Sequence, residues 1–241
     1  GTDVKASTDY AVSGDTYRSG TSAYAKAAAI NASGIAGVTA SATNVKTLDD
    51  DAVADGMFLD VAVSAASDAF TYTLTVNGEN IFSASTIDTA GITIDQAVAA
   101  INSKQFDTGV VASKNEDNQL VLTASDGRDI VVSEEIAFAD GTTAASNSSG
   151  IVESVFSTQT LTDDATASDD SGTITQGTLT FRGQVTLQSS SDITINQGQA
   201  LIGFSSGVLS ASSSLSAQNV LDVDAANDTI LSVDAALTSV S

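Results

Sequence analysis

Two kinds of periodicity share this chain. Phe70, Tyr72, Leu74 and Val76 alternate with Thr71, Thr73 and Thr75, a period of two that predicts a strand with one apolar and one polar face. Asn77-Gly78 follows. That dipeptide suits the positive φ angles of a two-residue hairpin turn, so Glu79 to Ser83 reads as the return strand. Ile94, Val98 and Ile101 then fall at i, i+4 and i+7, the spacing of a short amphipathic helix, and Thr93 and Gln96 stand at capping-box spacing before it. Strand is expected again after Gly109, and Asn115-Glu-Asp-Asn reads as a hairpin turn. Residues 119–132 read as a strand, an Asp126-Gly127 turn and a further strand. Strands are also expected at 155–162 and 173–181, with Asp/Ser/Thr/Gly loops at 140–150 and 163–172. Near the end the period changes. Val223, Ala226, Ile230, Val233, Leu237 and Val240 are spaced 3, 4, 3, 4, 3, a heptad seam that Asp222 or Asp224 would cap.

A repeat underlies these elements. Residues 27–41 read AAAINASGIAGVTAS and residues 98–113 read VAAINSKQFDTGVVAS. Both carry Ala-Ile-Asn, then Gly-Val, then Ala-Ser, and Ala23, Ala27 and Ile30 match Ile94, Val98 and Ile101 at helical spacing. The second copy continues from Gln119 as strand, turn and strand. The first has no such continuation after Ser41 until Gln184-Val-Thr-Leu-Gln-Ser-Ser-Ser-Asp-Ile-Thr-Ile, roughly 140 residues on. The simplest reading is one module split by insertion of another of the same kind, which loop tips and neighbouring chain ends make easy. The expected fold is α+β: a β-rich, elongated protein of two similar helix-plus-hairpin modules, one inside the other, ending in a coiled-coil-like helix. The outer split module would take 1–47 and 178–221, the inserted β-rich module 48–177, and the helix 222–241. Because the seam stops in register at Ser241 and the chain opens on Gly1, an excised fragment is expected.

Composition narrows the function. The 241 residues hold 30 acids and 8 bases, a net charge of −22, with no His, Cys, Trp or Pro. Without His or Cys there is no Ser-His-Asp or Cys-His nucleophile system and no zinc finger or HExxH peptidase. Nucleic-acid binding needs a basic stripe to displace counterions, so no nucleic-acid partner is expected. No apolar run approaches the ~20 residues that span a bilayer, so no membrane partner is expected either. At 42% hydrophobic the chain can build a core, and its charges are mostly screened from one another at physiological salt. The acidity therefore serves solubility.

Clustered acids are the remaining candidates for chemistry. Asp49-Asp50-Asp51, Asp163-Asp164 and Asp169-Asp170 raise a calcium site or a carboxylate pair for glycoside cleavage. No DxDxDG loop accompanies them, and adjacent loop acids face water. Neither an enzyme nor a cofactor or metal is expected. Asn31, Asn147 and Asn227 fit N-x-S/T, a pattern that arises by chance in a chain so rich in Ser and Thr.

Phe70-Thr-Tyr-Thr-Leu-Thr-Val-Asn-Gly-Glu-Asn-Ile, Val98-Ala-Ala-Ile-Asn and Gly109-Val-Val-Ala-Ser together resemble the hook-IN segment of bacterial flagellin, with a core at about 70–138. Residues 16–31 resemble the region that leaves the family's rod helices, and 225–241 resemble the opening of its C-terminal rod helix. The resemblance implies a structural protein: the outer, solvent-facing part of a flagellar filament subunit, secreted, and supporting motility, surface charge and surface identity. Its partners would be other flagellin subunits, reached through rod helices missing or truncated here, with Val223, Ala226, Ile230, Val233, Leu237 and Val240 packing into the filament core. The fragment alone would be monomeric. The family also implies O-linked sugars, with Thr142, Thr143, Ser148 and Ser149 as candidate positions. Alternatives are a hook-associated or filament-cap protein, which share such modules, and an adhesin-like glycan-binding domain. An enzyme working through Asp163 and Asp164 is a third.

Overall fold

A computed structural model describes residues 2–48, 57–59, 70–87, 91–138, 173–189, 192–195 and 208–209. In chain order a 3-10 turn at Ser7–Tyr10 is followed by α1 (Ala23–Ala32), β1 (Val38–Leu48), β2 (Met57–Leu59), β3 (Phe70–Val76), β4 (Glu79–Ile87) and β5 (Ile92–Thr93). Then come α2 (Ile94–Ser103), α3 (Gln105–Thr108), β6 (Val111–Lys114), β7 (Leu120–Ala124) and β8 (Ile130–Phe138). After these stand β9 (Thr173–Phe181), β10 (Gln184–Ser189), β11 (Ile193–Thr194) and β12 (Val208–Leu209). The fold is α+β and strand-rich, as the periodicity predicts. The strand expected at 155–162, the loops at 140–150 and 163–172 and the helix at 222–241 lie outside the described residues. Two compact units divide the chain: one takes 1–43, 126–128 and 183–241, the other 44–125 and 129–182.

In the second unit β4, β3, β8 and β9 form an antiparallel sheet in that order. Asn77 and Gly78 have φ of 47° and 80°, the doubly left-handed turn that matches strand twist. Tyr72, Leu74 and Val76 point inward, as do Ile130 and Val132 of β8. The return strand runs beyond Ser83 to Ile87 because a bulge rescues it. Ala84 turns to a φ of 44°, its N–H donates to Thr73 Oγ1 at 3.1 Å, and pairing resumes with Ser85 opposite Tyr72. Helix α2 starts at the expected capping box: Gln96 N donates to Thr93 Oγ1 at 3.2 Å, and Thr93 N to Gln96 Oε1 at 2.8 Å. Its Ile94, Ala97 and Ile101 bury against the sheet residues in one core, which also takes Leu59, Leu120 and Leu122. Residues Asn44 to Leu48 of β1 pair with β7, and β7 with β6.

The first unit is smaller and built on alanine. Ser22 caps α1, accepting from Ala25 N at 3.3 Å. The expected stripe of Ala23, Ala27 and Ile30 is buried, but so are Ala25 and Ala29. The helix is covered on more than one face because it packs against both the 3-10 turn and β10, and methyl side chains allow close approach on each. Residues Val38 to Thr43 of β1 pair antiparallel with β10. Ile30, Ala27 and Ala40 form the core, with Val185 and Leu187 against them.

Asp126-Gly127 is a turn between two strands, as expected, yet those strands do not pair with each other. β7 joins β1 and β6, whereas β8 joins β3 and β9. The turn is a corner held within the first unit: Tyr24 N donates to Gly127 O at 3.0 Å. Gly127 is buried at φ +77°, and a Cβ there would lie 2.3 Å from Ala42 Cβ. Only glycine meets both demands. Gly127→Ala is expected to cost on the order of 2–3 kcal/mol through strain and overlap, read as a lower urea midpoint by circular dichroism. An unchanged midpoint would refute this account of the corner.

Candidate functional site

The acid clusters at 49–51, 163–164 and 169–170, the seam residues Val223, Ala226, Ile230, Val233, Leu237 and Val240, and the modification candidates Thr142, Thr143, Ser148 and Ser149 all lie outside the described residues. Among the described residues no three metal-capable side chains come together. Five of the described acids, Asp15, Glu79, Asp95, Asp126 and Asp129, are instead paired with bases. Asp15 Oδ2 meets Arg18 Nε at 2.7 Å, Asp126 Oδ2 meets Arg128 Nη2 at 2.8 Å, and Asp95 meets Lys114 at 2.8 Å. Burial by itself would raise the pKa of Asp15 and of Asp126. Hydrogen bonds from Arg18 and Tyr17 to the first, and from Arg128 to the second, outweigh it and hold both below the ordinary value. These are structural pairs.

What the sequence repeat builds is a two-point clamp. At the end of α2, Asn102 Nδ2 donates to Ala112 O at 2.9 Å and Ala112 N donates to Asn102 Oδ1 at 2.8 Å. At the end of α1, Asn31 Nδ2 donates to Ala40 O at 2.7 Å and Ala40 N donates to Asn31 Oδ1 at 2.7 Å. A carboxamide offers the same donor and acceptor as a peptide group, so each Asn occupies the place of a neighbouring strand. Each helix thereby fixes the strand that follows it. Gly37 and Gly109, at φ of 74° and 68°, reverse the chain between clamp and strand. The shared letters Asn, Gly and Ala of the repeat are therefore the parts of one device. The amide nitrogen of Asn31, the atom an N-linked sugar would need, is spent in it.

The strand register repeats as well. Ala112 stands opposite Leu122 and Ala40 opposite Leu187, so the clamped alanine meets the same leucine of the matched sequences. Asn115-Glu-Asp-Asn is the hairpin turn expected, with Asn115 Oδ1 accepting from Asp117 N at 3.1 Å and Gln119 N at 2.8 Å.

Two further features were not foreseen. Asn77 reaches well beyond its turn, for its buried Nδ2 donates to Thr108 O at 2.9 Å and to Asp129 O at 3.2 Å. Its Oδ1 accepts from Val131 N at 2.7 Å, and its own N–H donates to Val131 O at 2.8 Å. In the core, the Tyr72 hydroxyl donates to Glu134 Oε1, with Tyr72 1% and Glu134 3% exposed. Phe58 and Phe82 pack on the Tyr72 ring at centroid distances of 6.2 and 5.8 Å. Burial first, then the Glu134 charge and hydrogen bond, push the Tyr72 phenol well above its ordinary pKa. The sequence signal for this pair is an acid at 134, where the period of Ile130 and Val132 demands an apolar side chain.

Comparison with known proteins falls on this second unit. Residues 73–126 match the flagellin hook IN motif. The match enters in β3, takes in the Asn77-Gly78 turn, both α2 and α3 and the β6–β7 hairpin, and stops at the corner, so the Asn102–Ala112 clamp lies inside it. It spans less than a quarter of the chain. That part of the chain is of flagellar, structural type. The chain is also similar to the crystal structure of the flagellar cap protein FliD D1-D2-D3 domains from Escherichia coli. The likeness has 14% identity and a TM-score of 0.21, over 86% of this chain and 70% of that one; a score so low does not establish a shared fold. No curated protein matches.

Asn102→Ala and Asn31→Ala are each expected to cost about 1–3 kcal/mol, since the buried strand groups lose their partners. The amide of Ala112 or of Ala40 should exchange correspondingly faster by NMR, and equal exchange in wild type and variant would sink the clamp. A separate effect belongs to Tyr72. Its raised folded pKa means that its contribution is whole below the ordinary value of 10.0. That contribution falls as pH climbs above this value, because the unfolded phenol ionises first. Between pH 9 and 11 the urea midpoint of Tyr72→Phe should fall less than that of wild type. Parallel declines would mean the pair carries no alkaline lability.

Proposed function

We propose that this chain is the surface-exposed outer region of a flagellar filament subunit, a secreted structural protein with no catalytic role. The observation that carries this reading is the hook IN match at 73–126, placed on a module whose helix–strand clamp recurs in the other unit. In this reading the second unit is a module inserted into the first. Thr43 and Gln184 of the first unit are ladder partners, and within the second unit Asn44 Nδ2 donates to Phe181 O at 2.8 Å. Each unit thus holds its own two chain crossings side by side, as an insertion requires. The limits of the second unit at 44 and 182, with 126–128 assigned to the first, support this reading.

Residues 222–241 act as the start of a rod helix, through which Val223, Ala226, Ile230, Val233, Leu237 and Val240 meet other flagellin subunits. The modules stand outside that wall. A net charge of −22 keeps neighbouring filaments from bundling, and Thr142, Thr143, Ser148 and Ser149 are positions for O-linked sugars.

Immunogold electron microscopy with antibody against this chain should label filaments along their whole length. Gold at filament tips or near the hook would replace the reading with a cap or junction protein, and gold on the cell body alone with an adhesin. In the filament subunit, residues 44–183 replaced by Asn-Gly should still assemble, because the turn closes the β1–β10 ladder where the second unit now leaves it. Loss of filaments from that variant, with export intact and the Ala40 amide still protected, would argue against an outer role for the second unit.

A further inference from the structure

The two clamped ladders match position by position until they reach their tips. In the hairpin, Ala112 faces Leu122 and Lys114 faces Leu120. In the first unit, Ala40 faces Leu187 and Ala42 faces Val185. One step further, Asn115 N donates to Gln119 O at 3.1 Å, the equivalent of Thr43 opposite Gln184. Beyond that step the hairpin closes through Glu116, Asp117 and Asn118, whereas the other ladder releases the chain into an entire unit. We infer that the tip at 116–118 is a second insertion port, a position that accepts a folded domain whose two ends lie one strand spacing apart, ~5 Å. This inference rests on the nested-module reading above.

The local bonding favours it. The hairpin is fastened below the tip, at Asn115 and Gln119. Asn115 Oδ1 accepts from Gln119 N at 2.8 Å, and Asn115 Nδ2 donates to Gln119 Oε1 at 2.7 Å. Glu116, Asp117 and Asn118 are all exposed. Asn118, at φ 59°, is in a left-handed conformation that a longer loop would release. The cost of lengthening a loop grows only with the logarithm of its length. Asp126-Gly127 looks equally open in sequence but is the opposite case. Gly127 is buried, bonded through its carbonyl to Tyr24 and in close contact with Ala42, so extra chain there would undo the corner. The port would let the outer face of this protein carry a further domain without disturbing the core that holds it.

The test uses the full chain, with a small independently folding domain with adjacent ends placed between Asp117 and Asn118. The Ala112 amide should keep its exchange protection to within about tenfold, a few doublings of loop length. The same domain placed between Asp126 and Gly127 should abolish protection at Ala40. A hundredfold or greater loss at Ala112 in the tip variant overturns the port. If that variant does not fold, a flexible Gly/Ser loop of about twelve residues at the same place decides: protection kept at Ala112 supports the port, and protection lost rejects it. The nested reading is tested separately, with short Gly/Ser spacers at Thr43/Asn44 and at Arg182/Gly183. Loss of Ala40 protection there would overturn that reading whatever the tip shows.

Discussion

The carboxamide of Asn77 is the point on which the second unit turns. It sits in a hairpin, where its left-handed backbone alone would justify it, yet its side chain is buried and bonds three residues of two other segments: Thr108 at the end of α3, and Asp129 and Val131 at the start of β8. Those segments lie 31 to 54 positions away in sequence. A buried amide without these partners would cost several kcal/mol. With them it fixes where β8 begins relative to β3, and so the register of the central sheet and the inward aim of Tyr72, Ile130, Val132 and Glu134. The Asn31 and Asn102 clamps apply the same chemistry at smaller range. In all three places an amide side chain stands in for backbone.

What could be read from sequence was what is local. The alternation at 70–76, the Asn77-Gly78 turn, the Thr93/Gln96 capping box and the Asn115 turn involve neighbours within a few positions, and each occurs where expected. The bulge at Ala84 was hidden because Ser83 to Thr86 carry no hydrophobic alternation, so the extra length of β4 depends on β3 rather than on its own residues. The double-sided burial of α1 was hidden too, since an alanine run fits a half-exposed stripe and a covered helix equally well. The corner at Gly127 reads as a hairpin turn until Tyr24 and Ala42, from distant parts of the chain, are placed beside it. The clamps lay between these extremes. Their residues were visible as a repeat, but a repeat shows that Asn, Gly and Ala belong together without showing what they bond.

Charge is arranged to stay out of the way. The described arginines each face an acid, Asp15, Asp126 or Asp129, and the Arg18 guanidinium lies over the Tyr24 ring at 5.5 Å. Few bases are available, and several of them fix loops and corners. Among the described residues, Asp3, Asp9, Asp107, Glu116, Asp117 and Glu135 are left to solvent, where acidity disfavours association. The buried Glu134 is the exception, with Tyr72 to hold it. Such a pair adds little net stability but makes one packing of the aromatic cluster preferable to others.

The ladder between Thr43 and Gln184 also carries a kinetic consequence. Its partners stand roughly 140 positions apart, so closing it from an open chain costs about 3 kcal/mol more than closing a four-residue turn. The Asn44 to Phe181 hydrogen bond removes most of that penalty once the second unit has formed, because its two chain ends are then already side by side. Contacts between distant positions form late unless something shortens the path between them. Formation of the second unit would shorten that path, so the β1–β10 ladder closes at least cost after it.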